Sequence, residues 1–216
     1  AGGTQGLYRS AGFGQPWRRV TGEAGGSVVL SIASAPSDSS VVYAGALSGL
    51  FKSENNGESW QALKIGPTTS PVWSVAIDAA QPQIVYAGQD AGALVKSLDA
   101  GRTWRASGQG LPLTARVQAI TLHPQLQTVL YAATTDGVYR STNGGGSWAL
   151  IGGSRCRGVV TSIALDSANA NIVYAGVGKD WKPTLSERLF LGTAEFVARM
   201  KRRAGASRPA PRTVGA

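Results

Sequence analysis

One cysteine, one histidine and one methionine are all that this 216-residue chain holds of three residue types that often carry chemistry. Cys156 has no partner for an intrachain disulfide, so the fold must rest on packing. With His123 as the sole imidazole and no clustered carboxylates, no zinc set can be assembled, and neither metal nor cofactor is expected. Charge is sparse at 15 % of residues. No run of 18 apolar residues exists, which excludes a transmembrane helix. The chain opens on Ala1 without a signal-peptide pattern, which admits a processed product or a fragment. The compartment is left open, with a lean towards an extracytoplasmic or secreted protein.

Glycine, in contrast, is abundant at 29 residues. It follows no three-residue period, which excludes collagen, and it suits short strands joined by tight turns. The net charge of +9 invites a nucleic-acid reading, but its distribution disfavours one. Residues 179–216 hold nine Lys/Arg and three Asp/Glu, whereas residues 1–178 hold twelve and nine. Basicity is mostly a property of the tail.

Self-similarity dominates what remains. Three stretches align without gaps: Ser53-Glu54-Asn55-Asn56-Gly57-Glu58-Ser59-Trp60, Ser97-Leu98-Asp99-Ala100-Gly101-Arg102-Thr103-Trp104 and Ser141-Thr142-Asn143-Gly144-Gly145-Gly146-Ser147-Trp148. A degraded copy keeps Ser10, Gly12, Gly14 and Trp17 but lacks the acidic or amide residue. The tryptophans fall at intervals of 43, 44 and 44 residues. A second landmark keeps pace: Val42-Tyr43-Ala44-Gly45, Val85-Tyr86-Ala87-Gly88, Leu130-Tyr131-Ala132-Ala133 and Val173-Tyr174-Ala175-Gly176. Periods of 20–50 residues signify solenoids or propellers.

Each unit reads as four short strands, because runs rich in Val, Ile and Tyr lie between Gly, Pro and Asn punctuation. Strand a is the apolar run at 28–33, 72–77, 117–122 or 159–165, and strand b ends in Val-Tyr-Ala-Gly. Strand c is the segment at 49–53 or 137–141, and strand d starts at the tryptophan. The near-continuous apolar character of strand a predicts burial on both faces, near a propeller axis. No helix-length periodicity competes before residue 180. In the box turn, the carboxylate or amide accepts backbone N–H groups two residues on, and the glycine supplies a left-handed conformation. The tryptophan then buries its ring between adjacent sheets. The structural set is therefore Ser53, Asn55, Gly57 and Trp60, with Ser97, Asp99, Gly101 and Trp104, and Ser141, Asn143, Gly145 and Trp148.

This motif at this spacing resembles the Asp-box (bacterial neuraminidase repeat, WD40/YVTN/BNR-type) propellers. The fuller pattern at 42–60, Val-Tyr-Ala-Gly-x-x-x-Gly-Leu-Phe-Lys-Ser-x-x-x-Gly-x-Ser-Trp, is similar to the subset related to photosystem II assembly factors and xyloglucan-degrading hydrolases. The resemblance covers about residues 6–178 and implies an all-β propeller of four-stranded blades. It implies no single function, since that family includes sialidases, other glycoside hydrolases, sorting receptors and non-catalytic assembly factors.

Units are expected near 6–20, 28–63, 72–106, 117–151 and 159–178, making 1–178 the repeat domain. Because the chain starts on a c–d pair and ends its repeats on an a–b pair, two arrangements are open. The half-units pair into a fourth blade, or the chain is a segment of a six- to eight-bladed ring. Residues 179–216 form a separate basic tail. Residues 184–203 read as an amphipathic helix with a Thr184/Glu187 capping box, followed by a disordered Pro/Arg/Ala-rich end. Any membrane contact would run through this tail alone, unless the tail is a non-native extension.

No catalytic set stands out. The sialidase Phe/Tyr-Arg-Ile-Pro motif is absent. A two-carboxylate glycosidase would draw on Asp90 and Asp136 in b–c loops, with Asp180 third, but turn roles before Gly92 and Gly137 are the favoured account of them. His123, before Pro124 in an a–b turn, reads as an exposed loop residue. Cys156, between Arg155 and Arg157, lacks the imidazole that a catalytic thiol needs. The expected ligand face carries the b–c and d–a loops, with Gln89, Asp90, Arg116, Asp136, Arg155 and Arg157, and suits a protein or carbohydrate partner.

Overall fold

The structure, a computed structural model, describes residues 1–66, 69–151 and 158–177. Cys156, Arg155, Arg157, Asp180 and the expected tail helix lie outside these residues. The architecture is nearly all-β, a partial β-propeller of antiparallel sheets set side by side.

Three sheets are complete and run a-b-c-d. The second sheet is β4 (Val29–Ala35), β5 (Asp38–Ala46), β6 (Gly49–Ser53) and β7 (Gln61–Leu63). The third is β8 (Val72–Ile77), β9 (Val85–Gln89), β10 (Leu94–Ser97) and β11 (Arg105–Ala106), and the fourth is β12 (Val117–Leu122), β13 (Leu130–Thr134), β14 (Gly137–Ser141) and β15 (Ala149–Leu150). A hairpin of β16 (Val160–Leu165) and β17 (Val173–Val177) follows them. The a strands adjoin one another in turn, β4 to β8 to β12 to β16.

The first sheet holds a surprise. Besides β2 (Gly6–Arg9) and β3 (Arg18–Arg19) it contains β1 (Gly2–Gly3), which pairs with β2 as strand b pairs with strand c elsewhere. Ala1-Gly2-Gly3 is thus the counterpart of Ala44-Gly45-Ala46. Of the two arrangements left open, this pairing disfavours the one in which the half-units share a fourth blade, because β1 already occupies that edge of β2. Among the described residues no ladder joins the first sheet to the β16–β17 hairpin. A five-residue helix, α1 (Gly22–Gly26), bridges β3 to β4. It is too short for helical periodicity to show, and it buries Ala24 and Gly25 against β2.

Burial departs from expectation. In the third and fourth sheets strand b is the most buried: every residue of β9 and β13 is buried, whereas β12 is half-buried. There strand b has a hydrogen-bonded neighbour on each side, whereas strand a is the edge of its own sheet; β17, paired with β16 alone among the described residues, is largely accessible. The Ala-Gly ending of strand b permits the close approach. A methyl group on Gly45 would sit 2.8 Å from the Val72 carbonyl oxygen, and one on Gly88 would sit 2.6 Å from Val117 Cγ1. Polar bonds stitch adjacent a strands as well. The Ser74 hydroxyl donates to Val117 O (3.0 Å), Val75 N–H donates to Ser31 Oγ (3.1 Å), and the Thr121 hydroxyl donates to Ile163 O (3.2 Å).

The boxes close the c–d hairpins by a different division of labour from that expected. The serine accepts the N–H two residues on and also the buried glycine N–H four residues on, as at Asn55 and Gly57 (3.3 and 2.9 Å). The Asn or Asp side chain accepts the N–H four residues on: Ser59, Thr103 or Ser147, at 2.8–2.9 Å. Each intact box carries two consecutive left-handed residues, at 56–57, 100–101 and 144–145. The tryptophans are less uniform than expected. Trp148 is buried, Trp60 and Trp104 are half-buried and donate to their own box glycine carbonyl, and Trp17 is 60 % exposed.

The boxes also join neighbouring sheets. The Tyr43 hydroxyl donates to Ala100 O (2.8 Å) and the Tyr86 hydroxyl to Gly144 O (3.1 Å), each reaching the fourth box residue of the next sheet. Lys96 Nζ donates to the same Gly144 carbonyl (3.0 Å), and Arg9 Nε donates to Asn56 O (2.7 Å). A turn that looks local is therefore an inter-sheet clasp. Burial pushes the Tyr43 and Tyr86 phenols up to about 12, so both stay protonated donors well past neutral pH.

Candidate functional site

The b–c and d–a loops meet at one end of the sheets. Their backbones are tied together. Gly92 N–H donates to Ala115 O (2.6 Å), Arg116 N–H to Thr135 Oγ1 (2.9 Å), and Thr135 N–H to Arg116 O (3.1 Å). Gly92 has positive φ and a methyl group there would strike the Pro112 carbonyl, so the b–c turn requires glycine to lie against the next loop.

Arg116 is the centre of this face. Its Nε donates to Asp90 Oδ1 at 2.8 Å, and its guanidinium carbon lies 3.7 Å from the centroid of the Trp73 ring. The planar group is thus held by an indole on its face and a carboxylate at its edge, an arrangement that lysine could not reproduce. Among the described residues its two terminal nitrogens make no hydrogen bond, and the side chain is two-fifths exposed. Both partners of the ion pair are about two-fifths exposed, so its value is positional more than energetic.

Trp73 was not singled out from the sequence. A signal existed, because it is the one tryptophan of the repeat region outside a box. Its placement follows from a feature that only the ladders reveal. In every a strand the register slips by one residue at the second position, leaving Leu30, Trp73, Gln118 and Thr161 unpaired. Such bulges re-aim a side chain at the end of a strand. Trp73 Nε1 is buried and makes no hydrogen bond among the described residues.

The other sequence candidates are distributed differently. Gln89 is buried at the end of β9 and its backbone completes the ladder to Val72. Asp136 accepts the Tyr139 hydroxyl (2.8 Å), and its N–H donates to Thr134 Oγ1 (3.1 Å), the bonds of a turn residue. Asp90 is engaged with Arg116, so each carboxylate has a partner of its own. Asp99 belongs to its box, where the Thr103 hydroxyl and N–H and the Ser97 hydroxyl lower its carboxyl to about 2.

His123 overturns its expectation. It is only 8 % exposed, and its Nδ1 accepts the N–H groups of Gln125 and Leu126 (3.2 and 3.1 Å). Asp78 and Asp166 hold the equivalent a–b turns with a carboxylate oxygen in the same role. The imidazole is a neutral stand-in for that acceptor, and burial, with Arg140 second, lowers its pKa. Among the described residues no three His, Cys, Asp or Glu side chains group to hold a metal ion. No helix there is long and apolar enough to cross a membrane.

No protein-family model and no curated protein matches the chain. Solved structures do. An ancestral GH74 enzyme matches with a TM-score of 0.70 and 24 % identity over 85 % of this chain. The extracellular domain of a putative one-component system from B. thetaiotaomicron gives 0.63 and 17 % over 82 %, and YCF48 bound to D1 peptide gives 0.52 and 16 % over 66 %. The chain spans 26 % of the first, 24 % of the second and 46 % of the third. These likenesses, between enzymes and a peptide-bound factor alike, establish a propeller fold.

Proposed function

We propose that the chain is an Asp-box-type propeller module that binds without catalysing, with its ligand on the face of the b–c and d–a loops. The observation that carries this reading is Arg116, clamped between Trp73 and Asp90 and two-fifths exposed, with no hydrogen bond on its terminal nitrogens among the described residues. Aromatic and arginine side chains held rigidly are the usual anchors of recognition surfaces. A protein or carbohydrate partner fits them. Residues 1–178 act as the repeat domain and 179–216 as a separate segment. An extracytoplasmic setting belongs to the same proposal and accords with the extracellular domain among the structural neighbours.

The test is calorimetric titration of the chain with a panel of extended peptides and of β-glucan oligosaccharides, before and after Arg116→Ala. A ligand whose affinity falls about tenfold in the variant supports the proposal, as expected for one charge-assisted contact. Affinities unchanged by both Arg116→Ala and Trp73→Ala would overturn it.

A second reading, a segment of a carbohydrate-active enzyme, is favoured by the ancestral GH74 likeness. It predicts turnover of xyloglucan or another β-glucan that is abolished by Asp90→Asn or Asp136→Asn. Absence of turnover across β-glucans, xyloglucan and sialosides would remove it.

A further inference from the structure

A second site lies at the other end of the sheets, where the first box has been rebuilt. Gly12 stands where the intact boxes hold Asn55, Asp99 and Asn143, and Pro16 where they hold Ser59, Thr103 and Ser147. The side-chain acceptor and the N–H that it would accept are both gone. The Ser10 hydroxyl turns instead to Gly12 O and Gln15 O (2.9 and 3.0 Å). The loop opens, leaving Phe13 fully exposed.

Between this loop, β3 and the second box lies a cavity of about 380 Å³. Its walls include Arg9, Arg18, Arg19, Gln15, Thr21 and Glu58. Three arginines and one glutamate thus line it. Arg9 is fixed by Asn56 O and lies 3.4 Å from Glu58. It stands directly opposite Arg18 in the β2–β3 ladder, a like-charge pairing that costs free energy unless an anion lies between. Arg18 and Arg19 form no side-chain hydrogen bond or ion pair among the described residues. The corresponding ladder positions hold Gln61 and Ala62, Arg105 and Ala106, or Ala149 and Leu150, so among the described ladders an arginine pair occurs in the first sheet only. Where the third sheet also sets Lys96 opposite Arg105, Lys96 is tied to Gly144 O and the Tyr86 ring.

We infer that this cavity is an oxyanion site, taking a phosphate or sulfate group on the guanidinium groups of Arg9, Arg18 and Arg19. The volume lies at the small end of the ligand-pocket range and suits a charged group with about one sugar ring attached. Planar guanidinium forks hold such tetrahedral anions through paired N–H donors. The ion is either free or carried as an ester, and the two sources share this chemistry.

Calorimetry and amide chemical shifts of the full chain, titrated with inorganic phosphate, glucose 6-phosphate, glucose 6-sulfate and glucose, test the site. The anions are expected to bind and to weaken with salt, while glucose gives no signal. Tighter binding of either ester than of inorganic phosphate assigns the ester, and equal binding assigns the free ion. Arg18→Ser with Arg19→Ser is expected to lower affinity about tenfold, because charge-assisted contacts are lost from an open pocket. Both residues are exposed, so the melting temperature checks that the fold is retained. Gly12→Asn with Pro16→Ser rebuilds the box and is expected to narrow the cavity and reduce binding. Arg116→Ala leaves these titrations unchanged, so failure here is distinguishable from failure of the loop-face proposal. No binding by any anion, or equal binding in the Arg18→Ser/Arg19→Ser variant, would overturn the site.

Discussion

The first and third boxes both begin on a serine and end on a tryptophan, and both keep the N–H of the sixth residue on the carbonyl of the third, yet they differ in every side-chain bond between. In the third box Ser97 accepts two N–H groups, and Asp99 accepts the Thr103 N–H and hydroxyl. In the first, Ser10 is a donor to two carbonyls and accepts none of these. The comparison shows how a repeat loses a motif at tolerable cost. Removing one partner strands the other, whereas losing the acceptor at Gly12 together with the donor at Pro16 strands nothing.

The largest effect should come from the clasp that the third and fourth boxes receive from the tyrosine of the preceding sheet. Tyr86→Ala removes a buried ring packed on Gly145 and a hydroxyl bonded to Gly144, and should cost about 4 kcal/mol in urea unfolding. Next, Ser97→Ala orphans the buried Gly101 N–H and should cost about 2 kcal/mol, whereas Ser10→Ala should cost about 0.5 kcal/mol. Equal losses at the two serines would refute the view that the first box has been rebuilt. The repair Gly12→Asn with Pro16→Ser should raise stability by about 1 kcal/mol, measured the same way. Ala100→Gly relieves a left-handed alanine (φ 57°) and should gain about 0.5 kcal/mol, an opportunity that the first box does not offer.

The smallest effect is pH-dependent and sharpens the parallel between His123 and the aspartates of the other a–b turns. The folded pKa of His123 lies below its ordinary value of 6.5, so below that pH the unfolded chain takes up a proton first. Its stabilising contribution is complete above about pH 6.5 and declines as pH falls through the folded pKa. His123→Asp should keep the turn and flatten this decline between pH 7 and 5, as followed by thermal melting. A melting temperature with the same pH slope in the variant would contradict the assignment.

The sequence made much of this fold legible because the signals were local. Strand boundaries, box spacing and the c–d hairpins depend on residues within eight positions of one another, and they recur. What escaped was long-range. The Tyr43–Ala100 and Tyr86–Gly144 bonds span 57 and 58 residues, and no single unit shows them. The role of His123 is hidden because its neighbour Pro124 suggests an open loop, and only alignment of that turn with Asp78 and Asp166 reveals an acceptor. At the proposed ligand face, Arg116 and Asp90 are visible in the sequence as loop residues. Trp73 was hidden inside a strand, since a bulge leaves no mark on hydrophobic periodicity.

That bulge has a consequence for how such a chain can diversify. The unpaired residue contributes no rung to the ladder, so the scaffold places little demand on its identity. Leucine, tryptophan, glutamine and threonine occupy the four equivalent positions at 30, 73, 118 and 161. These positions behave as interchangeable sockets on a fixed frame. Exchanging their contents is a route to altered recognition that leaves the architecture, and the clasps that hold it, untouched.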